Sequence, residues 1–97
     1  MEPPIACTLG PRQYRDRTRE LAALAARALR SREPTADGER LTFAAGADVE
    51  HELRAVIAAE SRCCPFLRMS LQRGEGGVVL EIAGPPDARP VIADLFR

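Results

Sequence analysis

The stretch 67-LRMSLQRGEGGVVLEIA-83 decides the fold. Leu67, Met69 and Leu71 alternate with polar residues, the period of a strand with one apolar face. The glycine-rich 74-GEGG-77 then turns the chain, and 78-VVLEIA-83 returns as the second arm of an antiparallel hairpin. One apolar face per strand predicts a sheet covered by helices on one side only.

Upstream, 49-VEHELRAVIAAESRC-63 repeats its apolar residues at helical spacing, with Leu53, Val56 and Ile57 on one face. Asp48 is the expected N-cap, Glu50 and Glu52 suit the positive end of the helix, and Pro65 forbids its continuation. Before it, 39-ERLTFA-44 alternates as a strand with Leu41 and Phe43 inward. A first helix is expected from Pro11 to about Arg32, with Leu21, Leu24, Ala28 and Leu29 in its apolar stripe. Pro34 and Asp37-Gly38 end it. Residues 5-IACTL-9 read as an initial strand with Ile5, Cys7 and Leu9 on one face. After the turn 84-GPPD-87, residues 88 to 96 read as a short last helix.

The predicted order is therefore βαβαββα in a single domain, residues 1–97. The expected class is α+β, a two-layer sandwich with a four-stranded mixed sheet and helices on one face. The first two strands should be parallel through a right-handed crossover. A ferredoxin-like arrangement is the near alternative, but it wants its hairpin between the second and third strands.

Bulk composition excludes several classes. The 14 basic residues, all arginine, balance the 14 acidic ones, which argues against a polyanion or nucleic-acid binder. Aromatic content of 4% leaves little for base stacking. No apolar run approaches the roughly 20 residues of a membrane span, and MEPPIACTLGP lacks the regions of a secretory signal. No membrane partner and a cytoplasmic location are therefore expected. Three cysteines are too few for a secreted disulfide framework and should be thiols in a reducing compartment. Protein partners, a homo-oligomer included, are left open.

The chemistry concentrates in 60-ESRCCPFL-67. At 100° per residue, Glu60 falls in the middle of the buried face set by Leu53, Val56 and Ile57, and Cys64 returns to that face one turn later. Cys63 stands at its border, while His51 and Arg62 point to water. Cys7 lies on the inward face of the first strand, so Cys7, Glu60 and Cys64 are expected to meet between sheet and helices. A carboxylate there needs a partner: an arginine such as Arg17, a backbone donor, a thiol or a metal. A structural ion pair is as good a reading of Glu60 as a functional one.

Cys7 alone is best read as a packed residue. The adjacent pair is harder to explain by packing. Thiolates select soft ions, although the motif lacks the paired spacing of a structural zinc site. Adjacent sulfurs can address one ion only if the backbone bends, and Pro65 with the helix end is placed to bend it. A vicinal disulfide would be strained and easily reduced, because consecutive Cα atoms are only about 3.8 Å apart.

The pieces 6-ACTL-9, 60-ESRCCPF-66 and 80-LEIAGP-85 resemble those of a group of small bacterial proteins. That group has an N-terminal ACTL-like strand, an ERxCCPF-like cysteine motif and an LEIxGP-like strand before a terminal helix. The resemblance spans nearly the whole chain; its CCPF element is specific and the rest generic. It implies that Cys7, Glu60, Cys63 and Cys64 belong to the signature. By analogy alone it points to heavy-metal resistance settings, with no established activity.

The leading expectation is a thiol protein that binds a soft metal or metalloid ion through Cys63, Cys64 and Cys7. Glu60 would orient or deprotonate a thiol. Three sulfurs suit Hg(II), As(III) or Cu(I) better than four-coordinate zinc. The alternatives are a thiol redox or sulfur-transfer enzyme and a structural or interaction domain. The enzyme would use Cys63 or Cys64 as nucleophile, the neighbour as resolving thiol and Glu60 as base.

Overall fold

A computed structural model describes residues 11–74 and 76–97, without the side chains of residues 11–14 and 63. The strand expected at 5–9, and Cys7 with it, lies outside the described residues.

The first helix, α1, runs Pro11–Ala28 and is followed by strand β1, Leu29–Pro34. Strand β2 is Gly38–Phe43, helix α2 is Ala47–Cys63, and strands β3 and β4 are Arg68–Gly74 and Gly77–Ala83. A 3-10 turn at Pro86–Ala88 leads into a short helix α3, Arg89–Asp94. The four strands form one sheet in the order β1-β2-β4-β3, and every pair is antiparallel.

The class is α+β, with three helices and an open four-stranded sheet among the described residues. The mixed sheet is corrected: among the described residues no strands pair in parallel. The first helix was also expected four residues too long. Leucine and arginine are good helix formers, so propensity carries the pattern past Ala28. Tertiary pairing overrides it. Ala28 accepts a backbone hydrogen bond from Ala44 at 2.8 Å, and Leu29–Pro34 then forms a hairpin arm against β2. Pro34 is tolerated because β1 is an edge strand.

Arg32 shows what the pairing gains. It faces inward from β1 and bonds the Glu39 carboxylate. Its Nη2 also donates to the carbonyls of Ile92, Ala93 and Leu95 at 3.1, 3.2 and 2.8 Å. These carbonyls end α3, where intrahelical donors run out and a cation is favoured. Beyond them Phe96, at φ 64°, is buried and packs edge-on to Phe43 with ring centroids 5.3 Å apart.

The expected Asp48 cap is corrected too. Gly46 is the N-cap of α2 and makes no side-chain cap bond, while Asp48 and Glu50 sit in the first turn. The hairpin from 67 to 83 is present, and Leu71 faces Leu80 as Met69 faces Ile82. Gly77 closes it at φ 144°, where a Cβ would come within 2.0 Å of the Phe43 carbonyl oxygen.

The core lies between the sheet's inner face and the helices. Leu41, Phe43, Leu53, Leu80, Ile82 and Ile92 are its largest fully buried side chains. Each contributes about 1.5–3 kcal/mol of transfer free energy. The opposite face is polar and carries the half-exposed ion pair Arg40–Glu81 at 3.1 Å. No helix among the described residues is long and apolar enough to cross a membrane.

Candidate functional site around the end of helix α2

Helix α2 ends inside the cysteine motif. Cys63 is its last residue; Cys64 is the C-cap, with φ −129° and ψ 72°, and its N–H donates to the Glu60 carbonyl. That bond is 2.7 Å, and the Leu67 N–H then closes a tight turn on the Cys64 carbonyl at 3.0 Å. Pro65 is exposed on the turn, whereas Phe66 and Leu67, just before β3, are buried. Proline here both stops the helix and pre-sets the turn.

Glu60 and Cys64, one turn apart, are both buried, at 2% and 4% exposure. Glu60 is the buried charged residue that the helical spacing foresaw. Its Oε1 accepts a hydrogen bond from Arg17 Nη1 of α1 at 2.9 Å, where the guanidinium side chain is 23% exposed and the carboxylate side chain 3%. The ion pair spans 43 residues of sequence and ties α1 to the end of α2. The geometry gives Glu60 the cationic partner that its burial requires. His51 and Arg62 lie on the exposed side of α2.

An open groove of about 510 Å³ runs beside the pair between α1 and α2. Leu21, Leu24, Val56 and Ala59 form its floor, and Arg17 closes one end. At the other end Arg27 Nη2 meets Glu52 Oε2 at 2.6 Å, both about half-exposed. Sequence reading passed over this groove because it depends on how the two helices are spaced, which no single-helix pattern encodes.

Of the proposed sulfurs, Cys64 is placed: it belongs to the apolar cluster that includes Phe66 and Leu67. Cys7 and the Cys63 side chain are outside the description. Among the described residues no three histidine, cysteine or acidic side chains gather closely enough to hold a metal ion. A second charged cluster lies at the opposite end of α2. There Glu50 bonds Arg73 Nε and Nη2 at 2.6 and 2.9 Å, with Arg54 3.5 Å away. The Arg73 hydrogen bond, with the charges of Arg73 and Arg54, holds the Glu50 carboxyl below its ordinary value.

No family model, curated protein or solved structure matches the chain.

Proposed function

We propose that this chain is a thiol protein that takes up a soft metal or metalloid ion through Cys63 and Cys64, with Cys7 as the third sulfur. The observation that carries the reading is the break in the backbone between the two adjacent cysteines. Cys63 is still helical and Cys64 has left the helix. Two successive helical residues point 100° apart and cannot share an ion; a bend at the second removes that restriction. Thiolates prefer Hg(II), As(III) and Cu(I), and three sulfurs suit these ions. Glu60, paired with Arg17, positions the end of α2 that carries the two thiols. A reducing cytoplasm is the compartment in which such thiols persist. The balance of 14 basic and 14 acidic residues supports a partner other than nucleic acid.

A structural role for the cysteines is the second reading, and the burial of Cys64 within the apolar cluster favours it. Elemental analysis of protein purified under reducing conditions, with thiol titration, separates the two. The soft-ion reading expects one bound ion per chain and fewer reactive thiols when it is bound. Serine at Cys63 or Cys64 should then weaken binding at least about tenfold, the effect of losing about 1.4 kcal/mol. His51→Ala should bind as the parent does. Absence of binding for all three ions sinks the reading in favour of packing.

A further inference from the structure

We propose that the outer edge of β3 pairs with β3 of a second copy of this chain, antiparallel about a two-fold axis at Leu71. The two described sheets then become one continuous sheet, with α2 of each copy on the same side of it. The association needs neither a thiol nor an ion, so it does not rest on the soft-ion reading.

The two edges of the described sheet differ. Edge strands expose unpaired backbone donors and acceptors, and proteins blunt them with proline, bulges and charge. β1 has all three: Pro34, a break of register between Leu29 and Ser31, and exposed Arg30 and Glu33. β3 keeps unbroken register with β4 over its seven residues, contains no proline, and pairs with no second strand among the described residues. Its charges stand at its two ends and are engaged by acids, Arg68 by Asp37 and Arg73 by Glu50. The phase of the ladder shows what this edge offers. The Gly84 N–H donates to the Asp37 carbonyl at 3.0 Å, which makes Gly38 and Ala83 a non-hydrogen-bonded pair of β2 and β4. Ala83, Glu81, Val79 and Gly77 therefore turn their backbone groups to β3, where Arg68, Ser70, Gln72 and Gly74 meet them. The N–H and C=O groups of Met69, Leu71 and Arg73 are left pointing outward.

This edge is complementary to itself. With Leu71 on the axis, Met69, Leu71 and Arg73 of one copy meet Arg73, Leu71 and Met69 of the other, so outward donors face outward acceptors in about six backbone hydrogen bonds. On the polar face Ser70 stands opposite Gln72, and Arg68 opposite Gly74, so no like charges confront one another. The inner face brings apolar surface that one copy leaves incompletely covered. Met69 and Leu71 are only partly buried, whereas Ile82 and Leu80 opposite them on β4 are 1% and 0% exposed. Helix α2 packs against β3, and its Glu50 reaches Arg73 there. Ile57, two turns beyond Glu50 on the same side of α2, is also only partly buried. Glu52, Val56 and Ala59 instead line the groove toward α1. Ile57, Met69 and Leu71 thus form an apolar seam along the edge, and the two-fold axis sets it against its own copy. A seam one strand long is a small interface, which suits a reversible dimer rather than an obligate one.

Sedimentation equilibrium and amide hydrogen exchange by NMR test this on the full chain, reduced and in the presence of a chelator so that disulfides and bridging ions play no part. The mass should rise toward that of two chains between about 10 μM and about 1 mM. The amides of Met69, Leu71 and Arg73 should gain protection over the same range, at least ~10-fold, while those of Ser70 and Gln72 are protected throughout. Leu71→Pro removes an outward donor without touching the β4 ladder and should abolish the dimer. The exposed pair Ser70→Lys with Gln72→Lys sets like charges opposite each other twice and should weaken association at least about fivefold. Ser70→Lys with Gln72→Glu sets opposite charges there and should restore it. The β2 and β4 amides report that each variant is folded. A monomer over the whole range overturns the proposal. So does protection of the outward amides that is unchanged on dilution, which assigns the edge to an intramolecular partner. A dimer indifferent to the lysine pair places the contact elsewhere and overturns it equally.

Discussion

Arg17 Nη1 lies 2.9 Å from Glu60 Oε1, and this ion pair fastens the middle of α1 to the last turn of α2. The carboxylate is the more deeply buried member, at 3% side-chain exposure against 23%. The two ends of the pair should therefore respond unequally to substitution. Arg17→Leu strips the guanidinium from a desolvated carboxylate and should cost ~3–5 kcal/mol in urea unfolding. Glu60→Leu leaves an arginine that can turn toward water, and should cost less, ~1–2 kcal/mol. Equal losses would mean that the pair is no more buried at one end than at the other.

The same Glu60→Leu variant bears on the cysteines. With Glu60 as a positioning residue, alkylation rates of the surviving folded protein should change by less than about threefold, under 1 kcal/mol in free-energy terms. A larger change would restore the carboxylate to a direct part in thiol chemistry.

Arg32 should behave as a clamp on the chain's C-terminal helix. Arg32→Ala withdraws charge-assisted hydrogen bonds from the Ile92, Ala93 and Leu95 carbonyls and leaves Glu39 part-buried without its guanidinium. A loss of ~2–4 kcal/mol is expected. Amides of residues 92 to 96 should lose exchange protection first, before those of β2 and β4. Uniform loss across the sheet would argue that α3 does not depend on this clamp.

Acidification should weaken the Glu50 cluster. The Arg73 hydrogen bond and the neighbouring guanidinium charges lower the native pKa of Glu50. A lowered native value stabilises the fold above the ordinary glutamate pKa of about 4.3, and that contribution is lost as pH falls through the native value. Glu50→Gln should thus narrow the difference between stability at neutral pH and stability in acid, measured by denaturant titration at each pH. An unchanged difference would remove Glu50 from the acid response.

Gly77→Ala should disrupt the closure of the β3–β4 hairpin. The backbone there has φ 144°, and the added Cβ would meet a carbonyl oxygen at 2.0 Å. A loss of at least ~2 kcal/mol in thermal or urea unfolding is expected, since both strain and displacement of β2 are involved. A near-neutral variant would show that the Phe43 end of β2 can yield.

Local periodicity determined much of this protein by itself. The alternation in 67–73 and 78–83 required a hairpin, and the wheel of α2 sent Glu60 and Cys64 inward and His51 outward. Those features depend on side chains a few residues apart, and a period of 2 or 3.6 encodes them directly. Tertiary structure decided the rest. Whether 29-LRSREP-34 continued the helix or formed a strand depended on β2 beside it and on the α3 carbonyls that Arg32 reaches, some 60 residues away. The antiparallel sheet depended on β4 taking the place between β2 and β3. Glu60 needed a partner on sequence grounds alone, but its pairing with Arg17 came from packing α1 against α2. Partners distant in sequence leave no periodic trace in either segment, so only the assembled layers could bring them together.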